Sequence, residues 1–177
     1  DALARIMSDN DLTADDIKRI IVSAGDKMWG VISYPFAETP FQAKYSFPFL
    51  LAAIALRGGA GRAEFREDFI RSDACVVFQK KVETKVDDAL GGDSDDIIAT
   101  RLDIETQDGR TITVDGRADY PGGPITPFND DAVDLKFDAA TSGLPPADKA
   151  EAVRSMLRTF ETQADAGVLL DTLGKIT

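Results

Sequence analysis

The chain has 177 residues, 44% of them hydrophobic and 29% charged, enough length and apolar content to bury a core of its own. Its formal charge of −11 argues against nucleic acid as a partner, because such binding rests on Lys and Arg neutralising phosphates. It contains no histidine, which removes the commonest general base, the commonest metal ligand and any Ser/His or Cys/His pair, while a single cysteine, Cys75, excludes an internal disulfide.

Asp1 to Met7, DALARIM, already has helical spacing with Leu3, Ile6 and Met7 on one face, yet no initiator Met or capping residue precedes it. An excised piece of a longer protein is the expectation. The acidic turn TADD follows, and the β-branched run Ile17 to Ser23 predicts a strand. Met28 to Pro35 fits either a short helix or an extended segment. Thr39 to Gly58, TPFQAKYSFPFLLAAIALRG, is the longest apolar stretch and predicts a helix from about Pro40 to Leu56. Pro48 is anomalous inside it, since an interior proline costs roughly 3 kcal/mol unless the helix kinks or starts late, near Tyr45. The apolar run Phe47 to Leu56 is about half the ~20 residues that cross a membrane, so no membrane span is expected and the cytoplasm is the default compartment.

Ala63 to Phe69 is charged and amphipathic, and Ser72 or Asp73 suits the cap of a short helix through Val77 or Phe78, with Cys75 as a core thiol. Val82 to Val86, VETKV, alternates as a half-buried strand does. The acidic loop DDALGGDSDD lacks the spacing and terminal Glu of a calcium loop. Ile98 to Thr106 and Arg110 to Arg117 flank a Gln107-Asp108-Gly109 turn, the strongest hairpin mark in the chain. After the Pro/Gly loop YPGGPITPF, Asn129 caps a helix carrying Val133 and Phe137. Pro145 and Pro146 restart the chain into a helix from Asp148 to Thr162 with a Val153, Leu157, Phe160 stripe, and a short helix covers Ala166 to Leu173. These elements define an α+β fold, a small and mostly antiparallel sheet packed with helices and followed by a helical tail.

Self-contained catalytic patterns are missing. There is no G-x-S-x-G, P-loop or dinucleotide fingerprint. The carboxylate pairs Asp15/Asp16, Asp87/Asp88 and Asp130/Asp131 fall in turns and helix starts, where solvation and dipole complementarity explain them.

Several ordered motifs carry a resemblance instead. FQAKYSFPFLLAAIALRGG, then AEF and FIRSDACVVFQKKV, is similar to the MmgE/PrpD family segment that reads approximately A-K-F-S-x-P-Y, an apolar helix, D-G and a charged helix leading into K-V. DIETQDGRTIT resembles the family's V-x-L-x-D-G-R hairpin, and YPGGPITPFNDDAVDLKF its P-x-G-x-P-x-x-P loop with the following K-F helix. The resemblance covers nearly the whole chain in order.

What it implies is a large all-helical domain, a smaller α+β domain and a site between them. There a proton is moved next to a carboxylate of a small di- or tricarboxylic acid, in dehydratase, decarboxylase or epimerase reactions that need no metal and no organic cofactor. Members are often homodimers. By this resemblance residues 1–143 are the small domain, 144–177 are helices that pack on a large domain absent from the chain, and the acid/base histidines precede Asp1. The Val153, Leu157, Phe160 stripe is then expected to be exposed or self-associated. Lys44, Ser46 and Phe49 are the implied substrate-binding residues: Lys44 and Ser46 match the motif, and Phe49 stands where the family has tyrosine, without its hydroxyl. No catalytic residue is assigned on this piece. Gly122 and Gly123 belong to the matched loop. The alternative is a non-catalytic binding or dimerisation module with the same fold.

Overall fold

The computed structural model describes residues 1–90, 99–116, 122–123, 126–143 and 147–174. The chain divides into two compact units, Asp1–Pro127 and Phe128–Thr177. Most of the acidic loop after Leu90, the ends of the hairpin beyond Ala99 and Gly116, much of the Pro/Gly loop, and Pro145 and Pro146 lie outside the described residues.

The first unit is built on a four-stranded sheet in the order β2-β1-β3-β4. Its strands are β1 (Ile17–Ala24), β2 (Val82–Val86), β3 (Thr100–Thr106) and β4 (Thr111–Gly116). β1 pairs parallel with β2 and antiparallel with β3, and β3 pairs antiparallel with β4, so the sheet is mixed and mostly antiparallel. The fold is α+β. β1 is central, and its Ile17, Ile20 and Val22 are sealed from water together with Leu102 and Ile104 of β3. The hairpin closes at Gly109, whose φ of +87° is the left-handed conformation that glycine adopts without strain.

Helices α1 (Ala2–Asp9), α2 (Asp26–Val31), α3 (Pro40–Lys44), α4 (Phe47–Arg57), α5 (Glu67–Ile70) and α6 (Asp73–Gln79) belong to this unit. α4 packs on α1, α6 and β2, and its Phe49, Ala52 and Ala53 are fully buried. Gly58, at φ +79°, ends α4 in the usual left-handed cap. Cys75 lies in the core, where burial pushes its thiol above the ordinary range and keeps it inert.

Three details refine or correct the sequence reading. The kink or late start expected near Tyr45 is a complete break, with α3 and α4 on either side of Tyr45 and Ser46, so Pro48 sits in the first turn of α4, where its missing N–H is not needed. Within the charged segment Ala63 to Phe69 only the residues from Glu67 onward are helical. β2 is an edge strand, which leaves Val82 buried but Val86 51% exposed, so its alternation does not describe a half-buried face.

The second unit holds α7 (Asp130–Thr141), α8 (Ala147–Arg158), a short 3-10 turn (Phe160–Thr162) and α9 (Gly167–Leu173). Asn129 caps α7 by accepting from the Ala132 N–H at 2.8 Å. α8 ends four residues before the expected Thr162. The stripe it carries divides: Val153 is buried with Leu169, against Phe137 and Met156, whereas Leu157 and Phe160 stay exposed. Arg154 ties α8 to α7 by pairing with Asp134 and Asp138 while its guanidinium lies 5.0 Å from the Phe137 ring centroid.

Candidate functional site

The A-K-Y-S-F-P-F segment is the place where sequence and structure are most specific. Thr39 and Gln42 open α3 with a capping box: the Thr39 hydroxyl accepts from the Gln42 N–H at 3.3 Å, and the Gln42 side-chain oxygen accepts from the Thr39 N–H at 3.2 Å. Pro40 occupies the first turn, and the helix stops after one and a half turns at Lys44. Ser46 then caps α4, its Oγ accepting from the Phe49 N–H at 3.3 Å. The chain therefore changes direction between Lys44 and Phe47 with its backbone donors satisfied.

The three candidate residues end up in different surroundings. Lys44 is exposed at the end of α3, where a cation suits the negative end of the helix dipole, and no described residue pairs with its ammonium. Ser46 is wholly buried, with its hydroxyl engaged as the cap. Phe49 is 0% exposed, its ring 5.2 Å from that of Phe65 and 6.2 Å from that of Phe69. Lys44 is thus the one of the three that offers a side chain to solvent; Ser46 and Phe49 act on the chain's own shape.

Two open pockets of the first unit flank this segment. One, of about 240 Å³, lies beside the start of α4 and is lined by Trp29, Tyr34, Phe47, Pro48, Thr84 and Val86 among others. The indole of Trp29 donates to the Ala24 carbonyl at 3.0 Å and meets Phe47 edge to face at 5.5 Å, which fixes that wall. The other, of about 530 Å³, is bounded by Phe36, Glu38, Thr39, Arg71 and Lys80 and carries two cations. Its rim is held by Gln79, a buried amide that accepts from the Ala37 N–H at 2.8 Å and donates to the Ala37 carbonyl at 3.2 Å. Gly122, with φ +86°, donates its N–H to Thr126 at 2.7 Å and so closes a local turn.

Sequence reasoning passed over Gln79, Arg71 and Lys80. The signal was available for Gln79: in DACVVFQ it stands four residues after Cys75, on the helix face that is otherwise apolar. Among the described residues no cluster of acidic, cysteine or histidine side chains is arranged to hold a metal ion, and no helix is long and apolar enough to cross a membrane. The carboxylates that shift do so by accepting hydrogen bonds. Asp16 is held below the usual range by the Thr13 hydroxyl and N–H, and Asp108 by the Thr106 hydroxyl and then by Arg110.

The first unit is thus a small α+β fold whose motif segment carries the exposed Lys44 on a tightly capped turn. The chain belongs to the MmgE/PrpD family, whose C-terminal domain description matches residues 1–162. Over 163 residues it is 26% identical to the cis-aconitate decarboxylase of Homo sapiens, a match that takes in 92% of this chain and 33% of that enzyme. The chain thus spans about a third of the length of the curated relative it matches.

Proposed function

We propose that this chain is the small-domain portion of a lyase or isomerase that moves a proton next to a carboxylate of a small di- or tricarboxylic acid, as a dehydratase, decarboxylase or epimerase. The observation that carries the reading is the family match over residues 1–162 together with a relative that is a decarboxylase. The resemblance assigns proton transfer to histidines, and this chain has none, so on this reading the proton-transfer groups belong to sequence outside these residues. Lys44 attracts a substrate carboxylate as a point charge. Ser46 and Phe49 take part through the turn that carries Lys44, and direct contact with substrate would require the α3–α4 segment to open. We place the whole protein in the cytoplasm as a homodimer, needing neither metal nor organic cofactor, with the helices after residue 143 packing on a large helical domain.

The test is an assay of the purified 177-residue chain on 2-methylcitrate, cis-aconitate and iminodisuccinate. No turnover is expected, and measurable turnover would contradict the assignment of the chemistry to other residues. In a longer protein that contains this chain, Lys44→Gln should raise KM more than it lowers kcat. The second reading, a non-catalytic binding or dimerisation module, is favoured by the burial of Ser46 and Phe49. It prevails if the sequence preceding Asp1 in the gene encodes no histidine-bearing helical domain.

A further inference from the structure

β2 is one edge of the sheet. In its parallel pairing with β1, Ile20 donates to the Lys81 carbonyl at 2.9 Å and Asp87 donates to the Ala24 carbonyl at 3.0 Å, so the odd-numbered residues direct their main-chain groups to β1. The N–H and C=O groups of Val82, Thr84 and Val86 consequently point outward, and no described residue bonds to them. An exposed edge of this kind pairs with another strand unless charge, proline or a covering segment prevents it.

The charges on this edge are arranged to match a reversed copy of the same strand. Val82-Glu83-Thr84-Lys85-Val86 is apolar, acidic, hydroxyl, basic, apolar, and reading it backwards only exchanges the two signs. We propose that β2 is a self-association edge, across which a second copy of this chain adds antiparallel about a two-fold axis at Thr84. Thr84 then meets the partner's Thr84, and Val82 the partner's Val86, in the hydrogen-bonded positions, giving about six main-chain hydrogen bonds from the three outward residues of each copy. Glu83 meets the partner's Lys85 in the non-hydrogen-bonded positions, where facing Cα atoms approach to about 4.5 Å and side chains interact most.

Three observations fit that occupant. Lys85 is exposed and has no ion partner among the described residues, so it is free to pair across the edge. Glu83 is already oriented by Arg19, whose Nε donates to it at 2.8 Å, and a carboxylate retains lone pairs for a second cation. The pocket of about 240 Å³ lined by Thr84 and Val86 leaves room beside the strand for the partner's side chains on the helix-covered face. The opposite edge, β4, reads TITVDG and has no such alternation of sign. The proposal rests on the reading above only for the expectation of two copies, and self-association is measured separately from turnover.

Sedimentation equilibrium on the purified 177-residue chain tests it. The chain should dimerise, and Lys85→Glu, which turns both cross pairs from attraction to repulsion, should weaken the dimer about tenfold or more without altering the circular dichroism. Thr84→Pro removes an N–H that β1 does not use, so it should abolish the dimer while leaving the monomer folded. Glu83→Lys alone should dissociate like Lys85→Glu, whereas an equimolar mixture of those two variants should associate again, because every cross pair is then opposite in sign. A wild-type chain that stays monomeric, a dimer indifferent to Lys85→Glu and Thr84→Pro, or a mixture that fails to associate would each overturn the proposal.

Discussion

The two units of the chain solve the same packing problem with very different margins. In the first, a sheet and the helices α1, α4 and α6 enclose a continuous core from Leu3 through Phe49 and Ile70 to Ile104. In the second, the buried hydrophobic residues among those described are Val153 and Leu169, and Val133, Leu135, Leu157, Phe160, Val168 and Leu170 stay exposed. Hydrophobic stabilisation scales with apolar area removed from water, so the first unit has much more of it than the second, whose ion pairs around Arg154 are partly exposed and each add little. The contrast is that of a unit with a continuous core and one whose apolar side chains stay largely at the surface.

The widest test of this contrast is to remove a core side chain from each unit. Phe49→Ala should cost about 3–5 kcal/mol in denaturant unfolding, because the ring fills space between Phe65 and Phe69 that cannot collapse. Val153→Ala removes less buried area from a core that can relax, and about 1–2 kcal/mol is expected, seen as loss of helical signal from the second unit alone. Equal losses in one shared transition would show that the units are not energetically distinct.

A smaller effect sharpens the account of the turn. Ser46→Ala removes the cap of α4 and should cost about 1 kcal/mol, with hydrogen exchange raised at the Phe49 amide first. An unchanged exchange rate there would mean that the cap is dispensable.

The smallest effect is in acid and belongs to the first unit. Asp16 and Asp108 have folded pKa values below their unfolded ones, so their stabilisation is complete above the unfolded carboxylate value, near about 4, and is lost as pH falls through the lower folded values. Thr13→Val, which removes the hydroxyl that Asp16 accepts from at 2.6 Å, should flatten that acid limb. A steeper limb in the variant would reverse the assigned sign.

Much of this fold was legible because local chemistry agreed with tertiary context. The Asp108-Gly109 turn, the Asn129 cap and the strand at Ile17 all stand where propensity places them. The break between α3 and α4 was only half legible: Pro48 signalled a fault in one long helix, but that Ser46 supplies a new cap depends on where its hydroxyl points. The burial of β2 was misread, since alternation reports two faces and says nothing of whether a neighbouring strand or helix covers them. For the site, the motif identified the segment, yet exposure separates Lys44 from Ser46 and Phe49, and exposure is a property of the packed unit. Gln79 escaped because its value lies in Ala37, 42 residues away in sequence.

The central claim is that the motif segment of this chain is built inward, with Phe49 sealed where the family pattern has tyrosine. Phe49→Tyr tests it most directly, by unfolding and by ultraviolet titration of the introduced phenol. A hydroxyl placed in this core without a partner should lower stability by about 1–3 kcal/mol, and the phenol should resist ionisation until the unit unfolds. A variant of unchanged stability, with the phenol ionising near its ordinary value of about 10, would show that the ring edge reaches an open cleft, and the inward reading would be contradicted.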